Sequence, residues 1–319
     1  MHITPVPPCP ETDVVVVGEA IVDIIDTAAG PVEFPGGSGM NVAFGLGRLG
    51  LSTAFLTALG RDERSRSIQR HLGTAGVRLL PGAEHLNRTS TARALLDSSG
   101  SAEYEFDFEW NLPQISPTFL PKVLHTGSLA SFMEPGATQV RSLLELFSRR
   151  CLITYDPNIR PTLLHSHTEA LRTFEQTVAL ATVVKLSTDD AQWLYPRTSP
   201  HDVARRLLDL GTELAIITDG ASGSYLRSNA AEIQVPAPPV VVKDTVGAGD
   251  SYMSSLIAGL LDEPEDDFGY SYGKLTRLGT AASLAAAITV GRHGANPPTR
   301  AELIQSLELA QTSRKNSDD

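Results

Sequence analysis

The feature that most limits the fold of this chain is a repeated unit: a short apolar, β-branched run that ends on a polar residue and is followed by a helical pattern. Val14–Val17 leads through Gly18 to Asp23, Leu152–Tyr155 to Asp156 and Asn158, Thr182–Val184 to Lys185 and Ser187, and Leu214–Thr218 to Asp219. Runs without hydrophobic alternation suit strands buried on both faces, and strands alternating with helices give a mostly parallel sheet between helical layers. Open sheets of this kind bind ligands beyond the carboxyl ends of their strands, so the strand-end residues are expected to share one cleft.

Two segments break the rhythm. Residues 24–36 and 89–109 read as strands, the second as a hairpin turning at Ser98–Ser101 with Tyr104, Phe106 and Phe108 alternating. They are expected to form a small β lid over the cleft, with an edge hairpin of the main sheet as the alternative. The expected division is a core of residues 1–23, 37–84 and 113–319 and a lid of residues 24–36 and 85–112.

A length of 319 residues with 41% hydrophobic and 20% charged residues fits one large folded core with a small accessory element. The net charge of −11 excludes nonspecific nucleic-acid binding, which needs dense Lys and Arg. Cys9 and Cys151 offer neither a disulfide framework nor metal-ligand spacing. The proline-rich start has no apolar signal core, no run is long enough to cross a bilayer, and the polar stretch Gln311–Asp319 reads as a frayed end. A cytoplasmic location without membrane contact is expected. His165 and His167 lack a partner cluster and read as a solvated loop.

The most chemically specific stretch is Asp244-Thr245-Val246-Gly247-Ala248-Gly249-Asp250, followed by an apolar stripe of Tyr252, Met253, Leu256, Ile257, Leu260 and Leu261 at helical spacing. Gly247, Ala248 and Gly249 can turn backbone N–H groups to an anion at the positive end of that helix, while Asp250 can accept a hydroxyl proton. A second glycine motif, Gly45-Leu46-Gly47-Arg48-Leu49-Gly50, matches the dinucleotide fingerprint GxGxxG. Its context is wrong: Gly36-Gly37-Ser38-Gly39 already makes the turn, the helix is under way by Asn41, and Asp62 comes too early to be the acidic partner. There is no GxxxxGK[ST] loop.

The segment Gly36-Gly37-Ser38-Gly39-Met40-Asn41-Val42-Ala43 through Arg48-Leu49-Gly50 resembles the first signature of the PfkB/ribokinase family of sugar kinases, and DTVGAGD resembles the second. Tyr155–Leu164, Lys185–Leu194, Ile217–Gly223 and Gly291–Leu303 follow in the family's order, so the likeness spans nearly the whole chain. It implies a three-layer α/β/α ribokinase-like fold, with a central mostly parallel sheet and a small β lid. It also implies ATP and a small-molecule sugar as ligands.

The resemblance assigns roles. Asp250 becomes the general base and Gly247, Ala248 and Gly249 the anion hole; Asp23, Gly36, Gly37, Asn41 and Arg160 face the sugar. Lys185, Ser187, Thr218, Gly220 and Gly223 line the ATP site, with the Ala-rich run Ala281–Ala287 as a wall for adenine or a plain packed helix. Asp190 would organise Mg²⁺ through water, and Asp244, the Val246 carbonyl and the Gly291–Gly294 loop match a monovalent-cation site, which suggests K⁺ activation.

Gly18-Glu19-Ala20, the short first lid segment, DPNIRP and GANPP are fructokinase-like features. Where many relatives carry a Tyr and a basic residue at the end of the second lid strand, this chain has Glu109 and Trp110, which favours a neutral sugar over 2-keto-3-deoxygluconate. Phosphorylation of a primary hydroxyl by a fructokinase-like enzyme is therefore expected. Ribokinase-like, nucleoside and 2-keto-3-deoxygluconate kinases remain as alternatives, as does a catalytically weak regulatory member of the fold. Exposed lid strands suggest a homodimer.

Overall fold

The computed structural model describes residues 12–27, 30–96, 102–113, 120–262 and 269–315. The chain opens with β1 (Val14–Val17), β2 (Ile21–Thr27), β3 (Gly30–Gly36), α1 (Ser38–Arg48), β4 (Thr53–Leu56), β5 (Leu59–Gly60), α2 (Glu63–Thr74), β6 (Arg78–Leu79) and β7 (Glu84–Leu86). It continues through β8 (Thr91–Leu96), β9 (Ala102–Asp107), β10 (Val123–Gly127), α3 (Gly136–Phe147), β11 (Leu152–Asp156), α4 (His167–Val178), β12 (Val183–Ser187) and α5 (Thr188–Leu194). The last third holds α6 (Pro200–Asp209), β13 (Leu214–Thr218), β14 (Ser224–Ser228), β15 (Glu232–Val235), α7 (Ala248–Asp262), α8 (Tyr272–Val290) and α9 (Arg300–Lys315).

The main sheet has nine strands in the order β15-β14-β13-β12-β11-β10-β1-β4-β6. All neighbours from β13 to β6 run parallel, and only β14 and β15 are antiparallel additions. The pleat sorts the side chains of β1 into two cores. Val15 and Val17 pack with Leu144 and Phe147 of α3, Phe174 of α4 and Leu207 of α6, while Val14 and Val16 pack with Met40 and Leu46 of α1, Ile68 of α2, Leu256 of α7 and Leu278 of α8. A strand of four valines buried on both faces is what a central parallel strand requires, and the outcome is a helix–sheet–helix sandwich.

The segments that broke the rhythm form a second sheet, in the order β3-β2-β8-β9. β2 pairs antiparallel with β3 and parallel with β8, and β8 pairs antiparallel with β9. β2 starts at Ile21, so Asp23 lies on this sheet rather than in a loop of the core. The expected turn at Ser98–Ser101 and the Tyr104 side chain lie outside the described residues, as does Cys9. At the other end, α9 runs on to Lys315, into the segment that reads as frayed.

Strands β4, β5, β6, β7, β10, β14 and β15 are absent from the sequence reading. β10 is the instructive case, because His125 and Thr126 interrupt its apolar run, yet both are buried and bonded, His125 Nδ1 to Thr154 Oγ1 at 3.0 Å and Thr126 Oγ1 to the Val17 carbonyl at 2.9 Å. The GxGxxG match closes a helix instead of opening one. The Gly50 and Leu51 N–H groups bond back to the Gly47 and Leu46 carbonyls at 2.9 and 3.1 Å with Gly50 at φ 83°, a Schellman ending. Asp62 caps α2, accepting the Ser65 N–H at 2.9 Å.

Candidate active site

The starts of α1 and α7 meet over the carboxyl ends of the central strands. Their close approach is set at Gly45, where an added Cβ would lie 2.5 Å from Ser254 Oγ and 2.9 Å from Ser254 Cβ. α7 begins directly after Gly247, which holds φ 76° and whose carbonyl accepts the Ser251 N–H at 2.8 Å. The N–H groups of the first turn have no partner within the helix and point at the space in front of it.

Asp250 stands in that first turn, 7% exposed. Its two oxygens reach across to α1: Oδ1 accepts the Ser38 hydroxyl at 2.7 Å and Oδ2 the Asn41 side-chain amide at 2.8 Å. Burial raises its pKa above the usual carboxylate value, while the donors Ser38 and Asn41 and the cations Lys185 and Arg160 pull it back. The Lys185 ammonium is buried and pairs with Asp156 at 2.9 Å, and an added Cβ on Gly249 would lie 3.5 Å from it. A cation thus stands beside the helix start. Burial works against its charge, but Asp156, Asp190 and Asp250 outweigh that and hold its pKa up. Burial pushes the Asp156 carboxyl up, and the paired Lys185 ammonium pulls it back.

On the other side of Asp250 lie the residues expected to face the sugar. Asp23 of β2 lies opposite Phe34 and Gly36 of β3 opposite Ile21, two positions along the ladder, and an added Cβ on Gly36 would fall 2.1 Å from Asp23 Oδ2. Only glycine leaves room for that carboxylate. Burial lifts Asp23 to about 6, with Arg160 acting against it. Arg160 is exposed and folds back on its own loop, donating to Asn158 Oδ1 at 2.7 Å, yet its charge reaches both Asp23 and Asp250. Gly37 is the N-cap of α1 at φ 104°. Asp23, Gly36, Gly37, Asn41 and Arg160 therefore surround one region beside the base.

Ser187 and Thr218 end the neighbouring strands β12 and β13 in direct register. Thr218 Oγ1 donates to the Leu186 carbonyl at 3.2 Å, and Gly220 and Gly223 form the turn into β14, closed by the Asp219 N–H on the Gly223 carbonyl at 2.8 Å. Ser187 and Asp190 form a reciprocal capping box on α5. Asp190 Oδ2 accepts the Ser187 N–H and hydroxyl at 3.0 and 2.7 Å, and Oδ1 accepts the Ile159 N–H at 2.7 Å. Asp244 bridges two loops, its oxygens taking the Val246 N–H at 3.0 Å and the Gly294 N–H at 2.9 Å, which lower its pKa. The chain beside it is pinned by the Lys243 N–H on the Val290 carbonyl at 2.8 Å.

Three site residues carry no role in the sequence reading. Ser38 and Asp156 are described above; the third is Glu19, 2% exposed, which accepts the Ser38 N–H at 3.1 Å and the Ala130 N–H at 3.2 Å. Burial lifts its carboxyl to about 7. Asp156 and Glu19 stand just after or at strand ends, so the strand-end rule signals them; Ser38 lies inside the first glycine signature, which by itself gives it no role. Trp110 is not poised toward a ligand: it is 3% exposed among Leu112, Ala130 and Val140, with Nε1 donating to the Ala130 carbonyl at 3.1 Å. Glu109 is exposed and follows the end of β9.

The family model described as pfkB family carbohydrate kinase matches residues 11–302. A fructokinase of Rhizobium leguminosarum bv. trifolii is 31% identical over 255 residues, covering 76% of this chain and 78% of that protein. Among solved structures, a fructokinase double mutant from Vibrio cholerae O395 in fructose-, ADP- and potassium-bound form aligns with a TM-score of 0.79 at 24% identity, covering 92% of this chain and 97% of that one. The aminoimidazole riboside kinase of Salmonella enterica, complexed with aminoimidazole riboside and an ATP analog, aligns with a TM-score of 0.78 at 24% identity, covering 92% and 98%.

Proposed function

This chain belongs to the pfkB family of carbohydrate kinases and transfers phosphate to a sugar as a fructokinase-like enzyme; within that family we propose ATP-dependent phosphorylation of a primary hydroxyl of a neutral sugar, with Asp250 as general base. The observation that carries this reading is the placement of a buried carboxylate in the first turn of α7, between a helix start on one side and Asp23, Asn41 and Arg160 on the other. Transfer needs an acceptor hydroxyl in line with the γ-phosphate, a proton acceptor, and donors where charge spreads. Asp250 takes the proton, the Gly247, Ala248 and Gly249 backbone forms the anion hole, and Lys185 adds positive charge beside it.

Asp23, Gly36, Gly37, Asn41 and Arg160 bind the sugar, and the second sheet that carries Asp23 acts as its lid. Ser187, Thr218, Gly220 and Gly223 flank ATP. Asp190 suits an outer role toward a nucleotide-borne Mg²⁺, through water, since both its oxygens already accept backbone or hydroxyl hydrogens. When bound, that ion would neutralise phosphate charge. Asp244 and the Val246 carbonyl, tied to the loop at Gly294, offer oxygen ligands suited to K⁺. Glu109 beside the lid disfavours a carboxylate-bearing acceptor. Among the described residues no helix is long and apolar enough to cross a membrane, and a cytoplasmic site fits ATP as the donor.

The test is ADP release over a panel of neutral sugars, ribosides and keto acids. Fructose or a similar neutral sugar should turn over best, and Asp250→Asn should lower turnover by about 10²- to 10⁴-fold while substrates still bind. Near-normal turnover in that variant would remove Asp250 from the role. A second acceptor class is supported by the aminoimidazole riboside kinase likeness, and riboside turnover above all sugars would favour it. The lid face that bears Asp23 also exposes Ile25, Val32 and Phe34, a surface suited to a second copy. Light scattering should give a homodimer, and a monomer at working concentration would count against that.

A further inference from the structure

The two oxygens of Asp250 face different surroundings. Oδ1 is in the interior, where both it and the Ser38 hydroxyl are buried, whereas the bond from Asn41 to Oδ2 is partly open. Ser38 and Asn41 are three apart at the start of α1 and so lie on one face of the helix, toward the base. Ser38 is held from behind. Its N–H, which as the first of the helix has no intrahelical partner, goes to Glu19 Oε1 at 3.1 Å, while Glu19 Oε2 takes the Ala130 N–H after β10 at 3.2 Å. Burying a carboxylate at this depth is unfavourable unless its oxygens are hydrogen-bonded, and these two N–H groups supply that compensation.

We propose that Ser38, anchored by Glu19, is the positioning residue of the phosphoryl-transfer base: it fills Oδ1 and sets the carboxylate plane so that Oδ2 receives the proton of the acceptor hydroxyl. The inference rests on Asp250 being the base. In the step, the acceptor O–H bond breaks with its proton going to Oδ2, the acceptor oxygen bonds to the γ-phosphorus, and the bond to the bridging oxygen breaks with its electron pair leaving on ADP. The charged groups around Asp250 are Lys185 from β12, Arg160 from the loop after β11, Asp156 at the end of β11 and Glu19 after β1, with Ser38 and Asn41 as neutral donors from α1. A donated hydroxyl favours the charged carboxylate, so removing Ser38's hydroxyl must raise the proton affinity of Asp250.

The test is the pH profile of kcat/KM for the best acceptor. Ser38→Ala should move the acidic limb up by about one to two pH units, the size of one hydrogen bond to a charged group, and Ser38→Thr should restore it. A merely structural Ser38 would change melting temperature or kcat and leave the limb in place, and an unmoved limb in folded Ser38→Ala overturns the proposal. If Ser38→Ala does not fold, Ser38→Gly decides it in the same way: a limb raised by about one to two pH units supports the proposal and an unmoved limb overturns it. The base assignment is checked separately, since Asp250→Asn losing turnover while these limbs stay fixed removes only the role of Ser38.

Discussion

Replacing Gly247 by alanine tests whether the start of α7 is held where an anion hole needs it. The residue stands at φ 76°, and an added Cβ would lie 2.6 Å from Ala295 Cβ and 2.9 Å from Ala295 Cα, so one partner must move by about 1 Å to regain ordinary carbon contact. A side chain in the left-handed region costs about 1–2 kcal/mol and overpacking adds about 1–3 kcal/mol, giving about 2–5 kcal/mol in all. With about 2.1 cal/mol/K of unfolding entropy per residue, a chain of 319 residues loses about 1.5 °C for each kcal/mol, so the variant should melt about 3–7 °C lower. Gly50→Ala is the control. Its φ is 83° but no atom lies within 4 Å of the new Cβ, so only the backbone strain remains, worth about 2–3 °C. Turnover separates the two further, because a displacement of about 1 Å at the reacting groups costs about 10²-fold, whereas Gly50 lies at the far end of α1. Thermal unfolding and ADP release at saturating substrates measure both quantities. Equal melting shifts in the two variants, with Gly247→Ala retaining its turnover, would refute the contact and the anion hole together.

Asp156→Asn strips the buried Lys185 of its partner at 2.9 Å and should cost about 3–5 kcal/mol, toward the lower end because Asp190 and Asp250 still act on the ammonium; an unchanged melting temperature would contradict the pair's importance. Glu302 is drawn down from 4.5 to about 2, first by the Thr299 N–H and then by Arg292. It therefore contributes stability that is present above about pH 4.5 and lost as pH falls through about 2, and Glu302→Gln should flatten the stability curve in that window, read by denaturant melts at each pH. Gly45→Ala places a Cβ 2.5 Å from Ser254 Oγ and should drive α1 from α7, lowering turnover about 10- to 100-fold, with Ser254→Gly in the same chain restoring it; a turnover defect that Ser254→Gly leaves in place would locate the fault elsewhere.

Much of the fold was legible because the central strands announce themselves: Val14–Val17 and Leu214–Ile217 are continuous apolar runs buried on both faces. β10 was not, since whether His125 and Thr126 can be interior depends on Thr154 and the Val17 carbonyl, partners distant in sequence. The same distinction divides the site. Asp250 and its glycines are local, a helix start read from consecutive letters, whereas Asp23, expected beyond the end of β1, sits inside β2 of the lid sheet. Ser38 and Glu19 are nonlocal. Their chemistry exists only once α1 is laid against α7 and the turn after β10 closes on Glu19, and no residue type at positions 19 or 38 specifies that by itself. Trp110, at the end of the second lid strand, is claimed by packing for the core.

The proton affinity of the base is consequently not written in DTVGAGD. Burial alone would push Asp250 toward its neutral form, useless as a base, and what opposes burial comes from elsewhere in the chain: two donors at the start of α1, Lys185 at the end of β12, and Arg160 after β11. Glu19, through the Ser38 N–H, fixes one of the donors. The affinity is a balance among four segments that converge on one carboxylate. A chain could keep every letter of DTVGAGD and still lose catalysis through the first turn of α1, because that motif supplies the atom that receives the proton while the other segments determine how readily it does so.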